Sequence, residues 1–221
     1  MNPLLIRRRG MMQAQTVTPI HRLIQLGCMM WFPLDQDNGL NDVVGGHVIT
    51  EVYSDAFTYN TSQQMNLVKT RAHKAVVANI AIDFSQGQFL NDGWTTIVQA
   101  KRFSTNPSTQ TRSIIFYMDS GLIFLSFNAM GSSVAYNWDA NIQSLVAACN
   151  TSGRKLYHNG TKIIDDSNIY PVPWGNTNIS VHDPDDSPTN KYIYMRNILL
   201  FNRMLTEAEI AEAMSILGIP W

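Results

Sequence analysis

A short acidic loop contains the densest group of potential metal ligands in the sequence. It follows His182 and contributes three carboxylates, those of Asp183, Asp185 and Asp186. Carboxylate oxygens are the hard ligands that Ca²⁺ prefers, so these aspartates are candidate calcium ligands. Their spacing differs from that of an EF-hand loop, and Asp, Pro and Ser are also common in loops that bind nothing. Calcium binding and a purely structural loop therefore stay open as alternatives, and no other cofactor is indicated.

Two tryptophans beside predicted loops could form a carbohydrate-binding surface. Trp138 directly precedes Asp139, and Trp174 lies in a Pro-Trp-Gly segment. An exposed indole can stack on the apolar face of a sugar ring, while neighbouring amides and carboxylates bond the sugar hydroxyls. The candidate ligand-binding residues are therefore Trp138, Asp139, Trp174 and His182. The alternative is that each indole closes one end of a hydrophobic core.

The carboxylates of the sequence do not follow the pattern of a glycoside hydrolase. Such enzymes need an acid and a nucleophile or base about 5–10 Å apart, which a strand can supply at alternate positions. The nearest pattern is Glu51 with Asp55, whose spacing predicts a shared strand face without a third carboxylate. The Asp165 and Asp166 pair is interpreted as a turn. GxSxG, HExxH, P-loop and GxGxxG motifs are absent from the sequence, which therefore predicts a protein that is not an enzyme.

Composition narrows the class of protein further. Lys and Arg number 16 against 17 Asp and Glu, so the net charge is −1 and gives no overall drive toward nucleic acid or an anionic membrane. No apolar run approaches the roughly 20 residues of a membrane span. The 221 residues fit one large domain or two small ones. Cys28 and Cys149 lie far apart in apolar runs and are predicted to be buried thiols, not a disulfide or zinc ligands.

Turn signals that recur about every ten residues predict many short antiparallel strands. Asn159 and Gly160 suit a type I′ hairpin turn because both residues tolerate positive φ. The predicted strands are residues 28–32, 47–52, 76–84, 94–103 (half-buried), 113–118, 122–127, 144–149, 155–157, 162–164, 179–181 and 192–201. This pattern indicates a β-sandwich or barrel and not βαβ units.

One helix is predicted near the carboxyl end. Thr206 and Glu209 match a capping box, and Leu205 with Ile210 forms a hydrophobic staple. An apolar stripe follows at helical spacing, and Gly218 ends the helix; the stripe consists of Ile210, Ala213, Met214 and Leu217.

Three segments resemble laminin-G-like (concanavalin-A-like) domains. Residues 194–210 run from an apolar strand through Phe-Asn-Arg, a Leu, a Thr cap and Glu-Ile, which is similar to the closing segment of that family. Residues 156–160 resemble its Leu-Tyr-x-Asn-Gly hairpin, and residues 31–45 are similar to its opening strand and turn. The resemblance implies an all-β fold, two antiparallel sheets in a jelly-roll sandwich with a short C-terminal helix. The family includes lectins, adhesion modules, enzyme appendages and virion proteins, so it does not give the function.

The amino-terminal residues differ from the rest of the chain. Residues 1–22 are predicted to be an arm or docking segment, and residues 23–221 the sandwich. Three arginines at 7–9 follow a very short apolar run, which reverses the order of a secretory signal. Residues 2–12 resemble the leaders of appendage proteins in bacteriophages of gut Bacteroides. With the low content of charged residues, 15%, this favours a virion protein.

The favoured function is a non-enzymatic virion structural or attachment protein of a bacteriophage, as a head fibre, capsid decoration or tail appendage. It would be made in the host cytoplasm and located in the virion. Its predicted partners are other virion proteins through the arm, host surface glycans, and further copies of itself in a homo-oligomer, without nucleic acid. The alternatives are a free or cell-surface lectin and, second, a glycan hydrolase.

Overall fold

A computed structural model describes residues 18–69, 76–83, 93–102, 114–118, 123–126, 141–167, 176–182 and 192–221 of the chain. Within these ranges the backbone forms two helices and thirteen β-strands. The helices are α1 (Pro19–Gln25) and α2 (Glu207–Ile216). The strands are β1 (Cys28–Phe32), β2 (Thr50–Glu51), β3 (Phe57–Asn60), β4 (Met65–Lys69), β5 (Val76–Asp83), β6 (Trp94–Arg102), β7 (Ile114–Met118), β8 (Ile123–Ser126), β9 (Gln143–Asn150), β10 (Gly153–His158), β11 (Thr161–Asp166), β12 (Asn176–His182) and β13 (Tyr192–Phe201).

The described strands form two sheets. The first has the order β11-β10-β9-β6-β13-β4-β3, with β1 also paired to β13, and the second has the order β2-β5-β12-β7-β8. All pairings among these strands are antiparallel. The chain passes repeatedly between the sheets, as in a jelly roll, for example from β4 to β5 and from β5 to β6. The predicted all-β, two-sheet antiparallel jelly-roll sandwich with a short C-terminal helix is confirmed.

Most of the predicted strands are confirmed. At the turn between β10 and β11, Asn159 and Gly160 have φ values of 46° and 76°, both positive as a type I′ turn requires. The strand predicted at residues 47–52 is shorter, because only Thr50–Glu51 pairs as a strand, on β5. Cys28 and Cys149 are free and buried, as predicted.

Strand β6 differs from its prediction in burial. Its alternating sequence predicts a half-buried strand, yet all residues from 94 to 100 are at most 1% exposed. Trp94 and Val98 join a hydrophobic cluster on the inner face of the first sheet. Ile97 points to the outer face, where Leu23 of α1 and Met214 of α2 pack against it. The helices therefore remove the second face of the strand from water.

Buried apolar residues hold the two helices on the outer face, and local caps and an ion pair between the helices stabilise them. The predicted capping box of Thr206 and Glu209 is confirmed, and Ile210 is fully buried. Arg22 Nε and Nη2 donate to the Glu212 carboxylate at 2.5 and 3.0 Å, which joins α1 to α2. Neither helix of the described chain is long and apolar enough for a membrane span. Helix α1 crosses the predicted boundary at residues 22–23; residues 1–17 lie outside the described ranges, and this division stays a prediction.

A β-bulge at Asn197 divides strand β13. Before it, β13 pairs with β4 as far as Met195; after it, β13 pairs with β1 from Ile198. Asn197 has a φ of 52°, and its backbone N–H donates to Pro33 O at 3.0 Å. The extra residue keeps Met195 and Ile198 in the same inner cluster despite their odd spacing. Its neighbour Arg196 consequently points to the outer face, where the register pairs it with Gln99.

Candidate functional site

Most of the sequence-predicted site residues lie outside the described part of the chain. These are Trp138, Asp139, Trp174, Asp183, Asp185 and Asp186. His182 is the last residue of β12, where its backbone pairs with Val76 of β5. In the ranges that the structure describes, no group of three or more His, Cys, Asp or Glu is placed to hold a metal ion.

The described strands define two ends of the first sheet. Gln143 and Tyr192 begin strands at the end that holds the 159–160 turn. Asp166 lies at the opposite end, beside the turn between β9 and β10.

A polar cleft lies at that second end of the first sheet. It has a volume of about 220 Å³, below the roughly 300–1,000 Å³ of pockets for drug-sized ligands, so it suits a group as small as one sugar ring. Gly153 allows β10 and β11 to approach closely beside the cleft, because a Cβ at this position would lie 2.3 Å from the backbone oxygen of Asp166. The lining residues are Asn150, Ser152, Gly153, Arg154, Lys155, Asp165, Asp166 and Met204.

An ion pair between Arg154 and Asp166 forms one wall of the cleft. The two residues are directly opposite each other on β10 and β11. Arg154 donates from Nε to Asp166 Oδ1 at 2.9 Å and from Nη2 to Oδ2 at 2.8 Å. Arg154 is only 4% exposed, whereas the Asp166 side chain is 36% exposed, so the bidentate geometry holds a buried guanidinium against a carboxylate at the rim of the cleft. Removing Asp166 would leave the buried Arg154 charge without compensation, at a cost that solvent at Asp166 makes smaller than that of a fully buried pair.

The second carboxylate of the cleft belongs to a separate charge network. Lys162 Nζ donates to Asp165 Oδ2 at 2.7 Å and to Glu207 Oε1 at 3.2 Å. The hydrogen bond from Lys162 lowers the pKa of Asp165, and bonds from Lys162 and Tyr157 lower that of Glu207. Burial, and then the Glu207 charge, raises the pKa of Tyr157 to about 12. A general acid for glycoside hydrolysis needs a raised carboxyl pKa, which is the opposite of what Asp165 has.

The groups of the cleft that remain available for a ligand are hydrogen-bond donors. The Lys155 ammonium, the Asn150 amide nitrogen and the Ser152 hydroxyl have no hydrogen-bond partner among the described residues, whereas Asn150 Oδ1 accepts from Ser152 N at 2.8 Å. Met204 adds an apolar surface. Hydrogen-bond donors beside an apolar side chain can bind hydroxyl or carboxylate oxygens of a small polar ligand.

Sequence reasoning missed this cleft because it interpreted Asp165 and Asp166 as a turn. That interpretation is wrong, since both residues belong to β11 and each is held by a cation. A β-bulge in the hairpin pairs Leu156 with Ile164 but Tyr157 with Lys162. This extra residue places Asp166, not Asp165, opposite Arg154. The Asn-Gly turn signal alone predicts Asp165 opposite Arg154.

The shared strand face predicted for Glu51 and Asp55 is also wrong. Strand β2 ends at Glu51, and Asp55 lies in a turn with a φ of 65°. Glu51 Oε1 accepts from the backbone N–H of Phe57 at 2.9 Å, and Asp55 pairs with Lys69 at 3.1 Å. The two carboxylates therefore stabilise the local chain and do not share a strand face.

Comparison with known proteins identifies the architecture but not a family. No protein-family model matches the sequence, and no curated protein matches it. The fold resembles the binding domain of botulinum neurotoxin DC in complex with rat synaptotagmin II, with a TM-score of 0.60 and 12% identity over 86% of this chain. It also resembles a structure of botulinum neurotoxin type C described by its interaction with two ganglioside molecules, with a TM-score of 0.59 and 12% identity over 88% of this chain. Trypanosoma rangeli sialidase gives a TM-score of 0.57 and 12% identity over 87% of this chain.

The similarity covers only part of each of these larger proteins. The chain spans 52% and 53% of the two neurotoxin chains and 33% of the sialidase. At 12% identity the likeness shows a shared fold. The protein is thus an antiparallel β-sandwich of the architecture found in these binding domains and in part of the sialidase.

Proposed function

We propose that this protein is a non-enzymatic glycan-binding module, displayed on the virion of a bacteriophage as a structural or attachment protein. The observation that carries the binding role is the cleft beside Arg154, in which both carboxylates are held by cations while the available groups are donors. Such a cleft can hold a small hydroxylated or carboxylated group. Asp165 has a lowered pKa, the opposite of what a general acid needs, and Asp166 is held by Arg154, which favours binding over catalysis.

The structural comparisons support this choice of ligand. The similar proteins include a neurotoxin binding domain in complex with SialylT, a neurotoxin described by its ganglioside interaction, and a sialidase in complex with a difluorosialic acid. All of these involve sugars. We assign the chain to the laminin-G-like and concanavalin-A-like sandwiches, as the sequence resemblance implies.

The virion assignment rests on the amino-terminal resemblance to phage appendage proteins. In this proposal the arm docks into other virion proteins, and the sandwich faces outward, alone or in a homo-oligomer. Trp138, Asp139, Trp174 and His182 stay candidate ligand residues, and Asp183, Asp185 and Asp186 stay candidate calcium ligands.

Neutralising one cation of the cleft tests the binding role. Lys155→Met should weaken binding of a responding glycan about tenfold, because a hydrogen bond to a charged group contributes on the order of 1.5 kcal/mol or more. The measurement is a glycan array with neutral, sialylated and sulfated glycans, followed by calorimetric titration of the responding compound. Lys69→Met is the matched control, since Lys69 is paired with Asp55 away from the cleft. Equal loss in both variants, or no response to any glycan, would remove the cleft from the proposal.

Truncation tests the particle role. Deleting residues 1–17 leaves Thr18, whose side chain accepts from His21 N at 3.2 Å and caps α1. A longer deletion through residue 22 would remove the Arg22 pair with Glu212 and damage the domain itself. The shorter variant should keep its melting temperature and glycan binding but fail to enter particles. Normal incorporation of the shorter variant would refute a docking arm. If the full-length chain folds and binds glycans but is absent from particles, the free lectin is favoured.

A further inference from the structure

Arg196 differs from the other arginines whose side chains are described. Arg22, Arg154 and Arg203 each form a bidentate pair with a carboxylate, that of Glu212, Asp166 and Glu209 respectively. Arg196 instead forms a single hydrogen bond, from Nε to the neutral Gln99 Oε1 at 3.0 Å. No further hydrogen bond or ion pair of Arg196 exists in the described chain.

The environment of Arg196 disfavours its charge without compensating for it. Burial lowers the pKa of the Arg196 guanidinium, and no carboxylate of the described residues counteracts this effect. A partly buried charge without a partner is destabilising, so a site that retains one is a candidate for function. Gln99 does not require Arg196, because Gln99 Oε1 also accepts from Asn197 Nδ2 at 2.8 Å.

A second cation lies on the same face of the sheet. Gln99 and Lys101 alternate along β6, and the register places Arg196 opposite Gln99 and Tyr194 opposite Lys101. Arg196 and Lys101 are thus diagonal neighbours, a relation in which long side chains can reach a common point. Lys101 Nζ also bonds a neutral group, Gln63 Oε1, at 2.6 Å. Two cations with amide partners and without a carboxylate partner in the described chain therefore share one surface.

Arg196 and Lys101 are partly exposed, although Gln99 is buried. Helices α1 and α2 pack on the half of the outer face that contains Ile97 and Phe201, and Arg196 lies toward the other half. Among the described side chains, Trp94 Nε1 is the only polar atom that is both fully buried and without a hydrogen-bond partner. The terminal nitrogens of Arg196 also have no partner among the described residues, so they are not fully buried and reach solvent. A ligand can approach the planar face of donors that the guanidinium presents.

We propose that Arg196 and Lys101 form a binding site for an oxyanion, and that its carrier is an acidic glycan with carboxylate or sulfate groups. The guanidinium offers two parallel donors that match the oxygens of either group, and Lys101 adds a second positive charge. Two cations in a chain of net charge −1 are too few for a nucleic-acid surface, where many phosphate contacts are made together. The oxyanion site rests on Arg196 itself and is independent of the cleft, whereas a glycan as the carrier rests on the proposed function.

Affinity measurements on the intact chain test the site. The probes are sodium sulfate, a sulfated tetrasaccharide and the same tetrasaccharide after desulfation, each titrated calorimetrically at low ionic strength. Arg196→Gln should weaken binding of the sulfated tetrasaccharide about tenfold to a hundredfold, and Lys101→Met about threefold to tenfold. Arg22→Gln, whose guanidinium is already paired with Glu212, is the matched control and should leave this binding unchanged. If Lys155→Met has no effect in the cleft assay, the cleft is refuted and this site is not.

Stability separates a binding role from a structural one. Without ligand, Arg196→Gln should keep or raise the melting temperature, because it removes a desolvated charge that has no partner. A fall of several degrees in the melting temperature would instead make Arg196 a structural residue and overturn the proposal. Equal affinity of the wild type and Arg196→Gln for the sulfated probe would overturn it as well. If the desulfated tetrasaccharide binds as tightly as the sulfated one, the anion site is refuted. If the sulfated tetrasaccharide binds no more tightly than sodium sulfate, a glycan as the carrier is refuted.

Discussion

Asp42 organises the loop after β1, and its substitution gives the sharpest test of the structure. Its side chain is fully buried. Asp42 Oδ1 accepts from the backbone N–H of Trp31 at 2.8 Å and of Val44 at 2.9 Å. Asp42 Oδ2 accepts from the backbone N–H of Gly45 at 3.0 Å and is 2.5 Å from His47 Nδ1. One carboxylate thus fixes β1 to a loop that has no regular structure of its own.

Replacing Asp42 with Asn keeps the shape but changes one acceptor into a donor. The amide oxygen can still accept from Trp31 and Val44. The amide nitrogen would face the backbone N–H groups of Gly45 and His47, so two hydrogen bonds to a charged group are lost. Each contributes about 1.5–3 kcal/mol, and the expected loss of unfolding free energy is therefore about 3 kcal/mol or more. For a chain of this size that corresponds to a fall of about 6–12 °C in melting temperature.

The pH dependence of this effect has a definite sign. Burial acts to raise the pKa of Asp42, but the hydrogen bonds from His47 and the backbone N–H groups outweigh it and hold the pKa below its ordinary value. A carboxyl whose pKa is lowered by folding contributes its full stability above the unfolded pKa of about 3.9. That contribution is lost as the pH falls through the lower folded pKa. The difference between Asp42→Asn and the wild type should therefore be constant near pH 7 and shrink below about pH 4.

Urea unfolding at several pH values, followed by tryptophan fluorescence, measures this difference. Asp37→Asn is the matched control, because Asp37 lies in the same loop region but is exposed. It should change the unfolding free energy by less than about 0.5 kcal/mol. A loss below about 1 kcal/mol in Asp42→Asn, or a loss equal to that of the control, would refute the assignment of Asp42 as the anchor of the loop.

Two further predictions concern the carboxyl-terminal region. The hydrogen bond from Arg203 is the main cause that lowers the pKa of Glu209 to about 2, so Glu209→Gln should cost about 1–2 kcal/mol in urea unfolding at pH 7. Because this contribution is present above the unfolded pKa and lost as the pH falls toward 2, the cost should disappear in acid; a cost that persists there would contradict the ion pair as its source. Gly160→Ala should lower the melting temperature more than Gly218→Ala. Both glycines have a positive φ, of 76° and 65°, so both substitutions strain the backbone. Only at Gly160 would the new Cβ also meet a neighbour, the backbone carbon of Trp221, at 2.6 Å. Equal effects in the two variants would contradict the packing of the carboxyl terminus against the hairpin.

Elements whose cause is local could be predicted from the sequence. The capping box of Thr206 and Glu209 acts within four residues, and the Asn159 and Gly160 turn requires only the tolerance of two residues for positive φ. β1 and β13 were also predictable in their bounds, because their apolar runs are clearly ended by turn residues. With the resemblance to sandwich domains, these signals were sufficient for the fold class.

The tertiary structure decided burial, register and the candidate sites. β6 has an alternating sequence but is buried on both faces, because helices distant in the chain pack on it. The pairing of Arg154 with Asp166 depends on a one-residue bulge, and the outward direction of Arg196 depends on another at Asn197. A single extra residue exchanges the two faces of a strand, and whether it is accommodated depends on the neighbouring strands. Because no local pattern records what those neighbours will be, neither the cleft nor the surface around Arg196 was predictable from the sequence.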